Sequence, residues 1–262
     1  MSFISDFKSA PISLFGVNGG NTSTDTSLAT LVGSKFSSAD GRVFALVQNG
    51  ASALVSGVLV QSPASIGANH TGLTCATAAI GATQITVTLG GTAVTANQYA
   101  GGFAVVSAGT GIGQTLRIAS HPAQSSTSGT VVLTLEDPLS VATAVSDSKV
   151  SLTLPQYGSS NGAAITTSGV VVCPTTLTGR VIGATIYPIP ASTSTTASYG
   201  FIQTNGAVAV KNQGGTTIGL DVMPSGTTAG SVATYVVATS SRVGTSTVAG
   251  EDGKAQLITL QL

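Results

Sequence analysis

Apolar and polar residues alternate with a period of two along much of the chain. In Gln84-Ile-Thr-Val-Thr-Leu89 the side chains of Ile85, Val87 and Leu89 fall on one face, and Thr130-Val-Val-Leu-Thr-Leu135 and Val150-Ser-Leu-Thr-Leu154 behave similarly. Such alternation marks a strand with one buried face, because successive side chains of a strand point to opposite sides. Further strands are predicted at Arg42–Gln48, Val55–Gln61, Gly102–Val106, Gln114–Ser120, Ala164–Cys173, Val181–Tyr187, Ser198–Thr204, Ala207–Asn212, Thr217–Met223, Ser231–Ala238 and Lys254–Leu262. Turn signals separate them: Gln48-Asn-Gly-Ala51, Ser125-Ser-Thr-Ser-Gly129, Ser159-Ser-Asn-Gly162, Asn212-Gln-Gly-Gly215 and Met223-Pro-Ser-Gly226. Asn-Gly and Gly-Gly supply positive φ at little steric cost, and Pro presets the second position of a tight turn. Many short strands with turns between them predict an all-β chain of antiparallel sandwiches or barrels, not a βαβ alternation.

The organisation expected is two antiparallel β-sandwich or barrel domains preceded by an extended N-terminal arm. Gly19-Gly-Asn-Thr-Ser-Thr-Asp-Thr26 is polar and Gly-rich between apolar clusters at Phe3–Phe15 and Leu28–Phe36, so residues 1–40 read as an arm. Pro155-Gln-Tyr-Gly-Ser-Ser-Asn161 ends the Leu154 strand, which places the boundary between a first β domain at 41–157 and a second at 158–262. No solenoid, propeller, collagen or heptad period runs through the chain.

Charge changes the picture most. Only 7% of the 262 residues are charged, the formal net charge is 0, and 42% are hydrophobic, where about 25% charged residues is usual. A surface so neutral offers little repulsion against association. Lys and Arg are too few and scattered to track a phosphate backbone, so nucleic acid is not an expected partner. No apolar run reaches the length of a spanning helix, so no membrane is expected either, and Asp6, Lys8 and Pro11 interrupt the N-terminus as a secretory leader would not. Cys75 and Cys173 are widely spaced, which favours two buried thiols over a disulfide.

Candidate chemistry is sparse. The histidines, His70 and His121, stand away from any nucleophile-elbow pattern, and His121 in Ala119-Ser-His-Pro122 reads as a turn histidine bonding backbone. Glu136-Asp137 and Glu251-Asp252 are the adjacent carboxylate pairs a glycosidase-like mechanism would draw on. Each runs into Pro138 or Gly253, and neighbours on a strand face opposite ways. Gly109-Thr-Gly-Ile-Gly113 precedes a strand, so it reads as a β-turn and not a phosphate loop. Asn21-Thr-Ser23 and Asn69-His-Thr71 match glycosylation sequons without a secretory context. No catalytic residue, metal site or cofactor is expected.

Four runs carry a family likeness: Ala79-Ile-Gly-Ala-Thr-Gln-Ile-Thr-Val-Thr-Leu89, Ala96-Asn-Gln-Tyr-Ala-Gly-Gly-Phe103, Gly113-Gln-Thr-Leu-Arg-Ile-Ala-Ser-His-Pro122 and Leu133-Thr-Leu-Glu-Asp-Pro-Leu139. With Phe201-Ile-Gln-Thr-Asn-Gly206 behind them, the chain resembles a group of virion structural proteins of tailed bacteriophages, described as capsid decoration, cement or unassigned structural components. The likeness covers residues 40–262, is most specific over 79–139, and departs from the group at Asn205, where Trp is often found. It implies a protein on the capsid exterior that binds the major capsid protein and stabilises the head, in a closed homo-oligomer for which a trimer is favoured. A tail or head-fibre receptor-binding component is the second expectation, and a polysaccharide-degrading enzyme the remote third.

Overall fold

A computed structural model describes residues 22–24, 26–159, 167–236 and 241–262. It is all-β, with two antiparallel sheets of eleven and six strands. The strands are β1 Thr22–Ser23, β2 Lys35–Ser37, β3 Val43–Gln48, β4 Leu59–Gln61, β5 Leu73–Thr74, β6 Gln84–Thr88, β7 Phe103–Ala108, β8 Thr115–Ser120, β9 Thr130–Leu135, β10 Lys149–Thr153, β11 Val171–Val172, β12 Val181–Thr185, β13 Tyr199–Lys211, β14 Asp221–Pro224, β15 Val232–Thr234, β16 Gly244–Ser246 and β17 Ala255–Gln261. A 3-10 turn at Thr26–Leu31 and the one-turn helix α1 at Gly67–His70 complete them.

The chain divides differently from the expected succession of domains. The smaller unit, Ser65–Pro155 with the described parts of Ser159–Ser168, is inserted into a larger one formed by the described parts of Met1–Ala64, Gln156–Gly158 and Gly169–Leu262. The expected boundary at 157/158 falls inside the three residues Gln156–Gly158 that belong to the larger unit, to which the chain returns only at Gly169. The earlier exit, at Pro63-Ala-Ser65, carries little local signal, because what decides it is non-local pairing: β3 runs beside β13, and β4 beside β12.

In the smaller unit the strand order is β5-β10-β7-β8-β9-β6. A bridge between Cys75 and Val87, with Ala76 N–H donating to Thr86 O at 2.8 Å, joins the β5 end of the sheet to β6. The sheet therefore nearly closes into a barrel, which leaves no long unpaired edge. Its strands alternate strictly, and the inward set, including Ile85, Val87, Val106, Ile118, Leu133 and Leu152, fills the interior. Tyr99 and Leu139, from loops, complete the filling.

The larger unit is an open, half-barrel sheet with core on both faces. Leu59, Val181 and Ala184 belong to one apolar cluster, whereas their neighbours Val60 and Ile182 belong to another. Covering both faces explains why β4 and β12 are buried at every position and show no alternation. The two strands expected at Ser198–Thr204 and Ala207–Asn212 are one strand, β13, which pairs with β3 through its first half and with β17 through its second. The register against β3 shifts between Gln203 and Asn205, a bulge at the change of partner, while Gly206, at φ +89°, stays in register opposite Leu260 of β17; Gln203 Nε2 spans this stretch by donating to Asn205 O and Ala207 O at 2.9 Å.

The expected arm needs the same correction in part. Residues 1–21 lie outside the described residues, as do the 164–166 part of the strand expected at Ala164–Cys173 and the 237–238 part of that expected at Ser231–Ala238. From Thr22 onward the chain belongs to the larger unit: β1 pairs with β13, the 3-10 turn buries Leu28 and Ala29, and β2 pairs with β3. Phe36 packs edge-on against Phe201 with centroids 5.4 Å apart.

Candidate functional site

Ala96–Phe103, Gly113–Pro122 and Leu133–Leu139 come together in the small barrel. Asn97, at φ +58°, accepts a hydrogen bond on Oδ1 from His121 N–H at 2.9 Å, and its own N–H donates to His121 O at 3.0 Å. The next turn brings Tyr99 N–H to His121 Nε2 at 3.0 Å, while His121 Nδ1 lies 2.9 Å from Pro122 O. These partners assign the proton to Nδ1 and make His121 a neutral clasp between two loops. Tyr99 is fully buried between both histidines, its ring centroid 5.7 Å from that of His70 and 5.8 Å from that of His121. Gly101 N–H then donates to Ile118 O, and Glu136 N–H to Arg117 O, where the Glu136 carboxylate also meets the Arg117 guanidinium at 3.2 Å.

Burial holds the His121 imidazole below its ordinary range, and that of half-buried His70 as well. Burial also pushes the Tyr99 hydroxyl up to about 12; it lies near Asn69 but lacks the geometry of a hydrogen bond. Both histidine values fall below the unfolded value of 6.5, so the unfolded chain takes up more protons as pH drops. The stability they confer is complete above pH about 6.5 and is lost as pH falls through the folded-state values. Hydrogen exchange of β6–β10 amides, corrected for intrinsic rate, should therefore report a progressively weaker barrel between about pH 7 and 5. Joint replacement His70→Gln and His121→Gln should flatten that slope; an equally steep slope in the variant would assign it to other groups.

The remaining candidates do not assemble into a reactive centre. Glu136 is engaged by Arg117, and Asp252 Oδ1 accepts from Gly214 N–H at 2.7 Å, each within its own unit. The Gly109–Gly113 segment is a turn between β7 and β8 whose Thr110 N–H and Oγ1 both donate to Asp147 Oδ2, at 3.1 and 3.0 Å. A carboxylate thus occupies the place a phosphate would take. Cys75 and Cys173 are buried free thiols, and burial pushes the Cys173 thiol up to about 11, far from a reactive thiolate. Asn69 is fully buried, with Nδ2 donating to Thr92 O and Oδ1 accepting from Gly90 N–H, so it cannot accept a glycan in the folded state. The larger unit holds a cleft of about 100 Å³ lined by Lys35, Tyr157, Arg180 and Thr204 among others; ligand pockets run to roughly 300 Å³ or more.

Among the described residues, no group of three His, Cys, Asp or Glu is placed to hold a metal, and no helix is long and apolar enough to cross a membrane. What the loops do present is apolar surface. Ile80, Ile112, Val141 and Val145 stand exposed on the small barrel. No periodicity marks them, because each sits among Gly, Ala, Ser and Thr in segments that read as turns; a lone large aliphatic inside such a segment, as in Gly-Ile-Gly113, is the signal the residues carry. No family model, no curated protein and no solved structure matches the chain.

Proposed function

We propose that this chain is a bacteriophage capsid decoration, or cement, protein that binds the major capsid protein on the outside of the head and stabilises the shell. The observation that carries the reading is a neutral, charge-poor surface on an all-β body: 7% charged residues and a net charge of 0. A surface of this kind suits permanent cover by protein neighbours, since its desolvation leaves few charges to pair. A cyclic homo-oligomer, with a trimer favoured, fits the local symmetry of a shell lattice. The barrel and the half-barrel supply rigid bodies, and residues 1–21, apolar at Phe3, Phe7 and Phe15, supply a segment able to cross a subunit seam. Stabilisation follows from mass action. A ligand of the assembled shell alone contributes about 2.7 kcal/mol per site at a hundredfold excess over Kd, and the sites repeat over the lattice.

Electron microscopy of virions carrying a tagged copy should place the label on heads, and label confined to tails would remove the capsid assignment. Shells stripped of the protein should recover resistance to heat on its re-addition. A chain lacking residues 1–21 should co-sediment with stripped shells more weakly than the intact chain, whereas equal pelleting would take the arm out of the attachment. Truncation through Leu31 is not a clean version of that experiment, because it also removes Leu28 and Ala29 from the larger unit's interior.

A further inference from the structure

Three connections, Cys75–Thr83, Gly109–Gln114 and Glu136–Ser148, lie at one end of the small barrel, and there they are stitched together. Gly81 N–H donates to Leu139 O at 2.8 Å, Leu139 N–H returns to Ala82 O at 2.9 Å, and Ala78 bridges Thr143. Val145 N–H donates to Thr77 Oγ1. Gln114 fastens the second loop to the third: its Oε1 accepts from Ser140 and Val141 N–H, and its Nε2 donates to Val141 O at 3.0 Å. Ser148 Oγ donates to Thr110 O at 2.7 Å. On this braced end four large aliphatic side chains face outward: Ile80 is 69% exposed, Ile112 66%, Val145 60% and Val141 46%.

A rigid scaffold that holds four aliphatics in water is prepared for a partner that covers them. Charge decides which. Residues 76–83, 109–114 and 139–146 contain no charged residue; of the acidic groups that flank them, Glu136 pairs with Arg117, Asp147 accepts from Thr110, and Asp137 is exposed, so the net charge at this end is negative. Nucleic acid or an anionic lipid headgroup would bring charges that nothing here could pair. No Phe, Tyr or Trp stands in these segments to settle at a lipid interface. The complementary surface is another uncharged apolar one, and the chain itself, with a net charge of 0, supplies it without electrostatic cost.

We infer that the end of the small barrel bearing Ile80, Ile112, Val141 and Val145 is the face by which copies of this chain pack against one another about a common rotation axis. The inference deepens the decoration reading by naming the self-association surface. It can fail while that reading stands, because self-association is measured on the protein alone and shell binding separately.

Sedimentation velocity of the full chain across a dilution series is the direct test. The unaltered protein should sediment as an oligomer. The double variant Ile112→Asp, Val145→Asp should associate on the order of a hundredfold or more weakly, since charges would enter the centre of the contact. Ile112→Leu should retain association, and so should Ile218→Asp, which places the same charge on an equally exposed aliphatic (63%) of the larger unit. Hydrogen exchange in β6–β10 should match the unaltered protein in every variant, because the substituted side chains point to solvent. A monomer at all concentrations, or a double variant that associates like the original, would overturn the assignment. A protein that is monomeric yet pellets with shells would leave the decoration reading intact and make this face a capsid contact instead.

Discussion

Replacing Tyr99 by alanine is expected to cost the small barrel about 3–5 kcal/mol, the range for emptying a large aromatic site in a packed core. Tyr99 is fully buried and is not on a strand: it reaches the barrel interior from the loop before β7. Nothing on a strand can slide into the space it leaves, because the inward positions of β6–β10 are fixed by register. The two histidine rings packed on it would lose their common neighbour, although the Tyr99 backbone bond to His121 Nε2 could persist. Tyr99→Phe separates packing from polarity. The hydroxyl is buried without a hydrogen bond, so its removal should leave stability within about 1 kcal/mol of the original or slightly above it. Denaturant unfolding read through exchange of barrel amides would measure both changes. An alanine variant as stable as the original would mean that the aromatic does not plug the barrel.

How much of this was legible in the sequence follows from how locally each feature is determined. Five of the six barrel strands are legible, because runs such as Ile85-Thr-Val87 and Val131-Val-Leu133 bury one face only and the period of two survives in the residues, whereas β5, two residues long, shows no period. β12 was found as an apolar run, but its two-sided burial leaves no periodicity to fix its register. β16 leaves no trace in the pattern. Gly244-Thr-Ser246 has no apolar signal, and it is a strand because a Cβ at Gly244 would meet Thr259 O at 2.3 Å, so glycine alone allows that approach to β17. The insertion of one unit into the other was invisible for a related reason: β3 and β13 pair across some hundred and fifty residues, and no local pattern encodes a partner so distant. The runs Ala96–Phe103 and Gly113–Pro122 are distinctive as sequence alone, without showing what they do. Their Asn97, Tyr99 and His121 hold two loops together inside the barrel, so what made them distinctive is structural and leaves the partner unspecified.

Gly90→Ala and Gly91→Ala, one residue apart, should differ by about 3 kcal/mol in the stability of the small barrel. A Cβ at Gly90 would lie 1.9 Å from Ala68 O and 2.8 Å from Ala68 C, both backbone atoms. Ala68 belongs to α1, and its neighbour Asn69 is tied to the same loop twice, by accepting from Gly90 N–H and by donating to Thr92 O. The helical turn therefore cannot retreat without breaking the buried bonds of Asn69, and Gly90 O would lose Ser128 N–H, now at 2.8 Å, if the loop moved the other way. Overpacking of this kind costs about 1–3 kcal/mol, and a backbone oxygen with no room to yield belongs at the upper end. At Gly91 a Cβ would meet nothing within 4 Å, and its φ lies outside the left-handed region. Alanine there should stabilise by about 0.4–1 kcal/mol, because it restricts the unfolded chain without disturbing the folded one. Unfolding free energies of the two variants, measured by hydrogen exchange in β6 and β10, would decide it: equal values would show that the loop carrying Gly90 is free to give way.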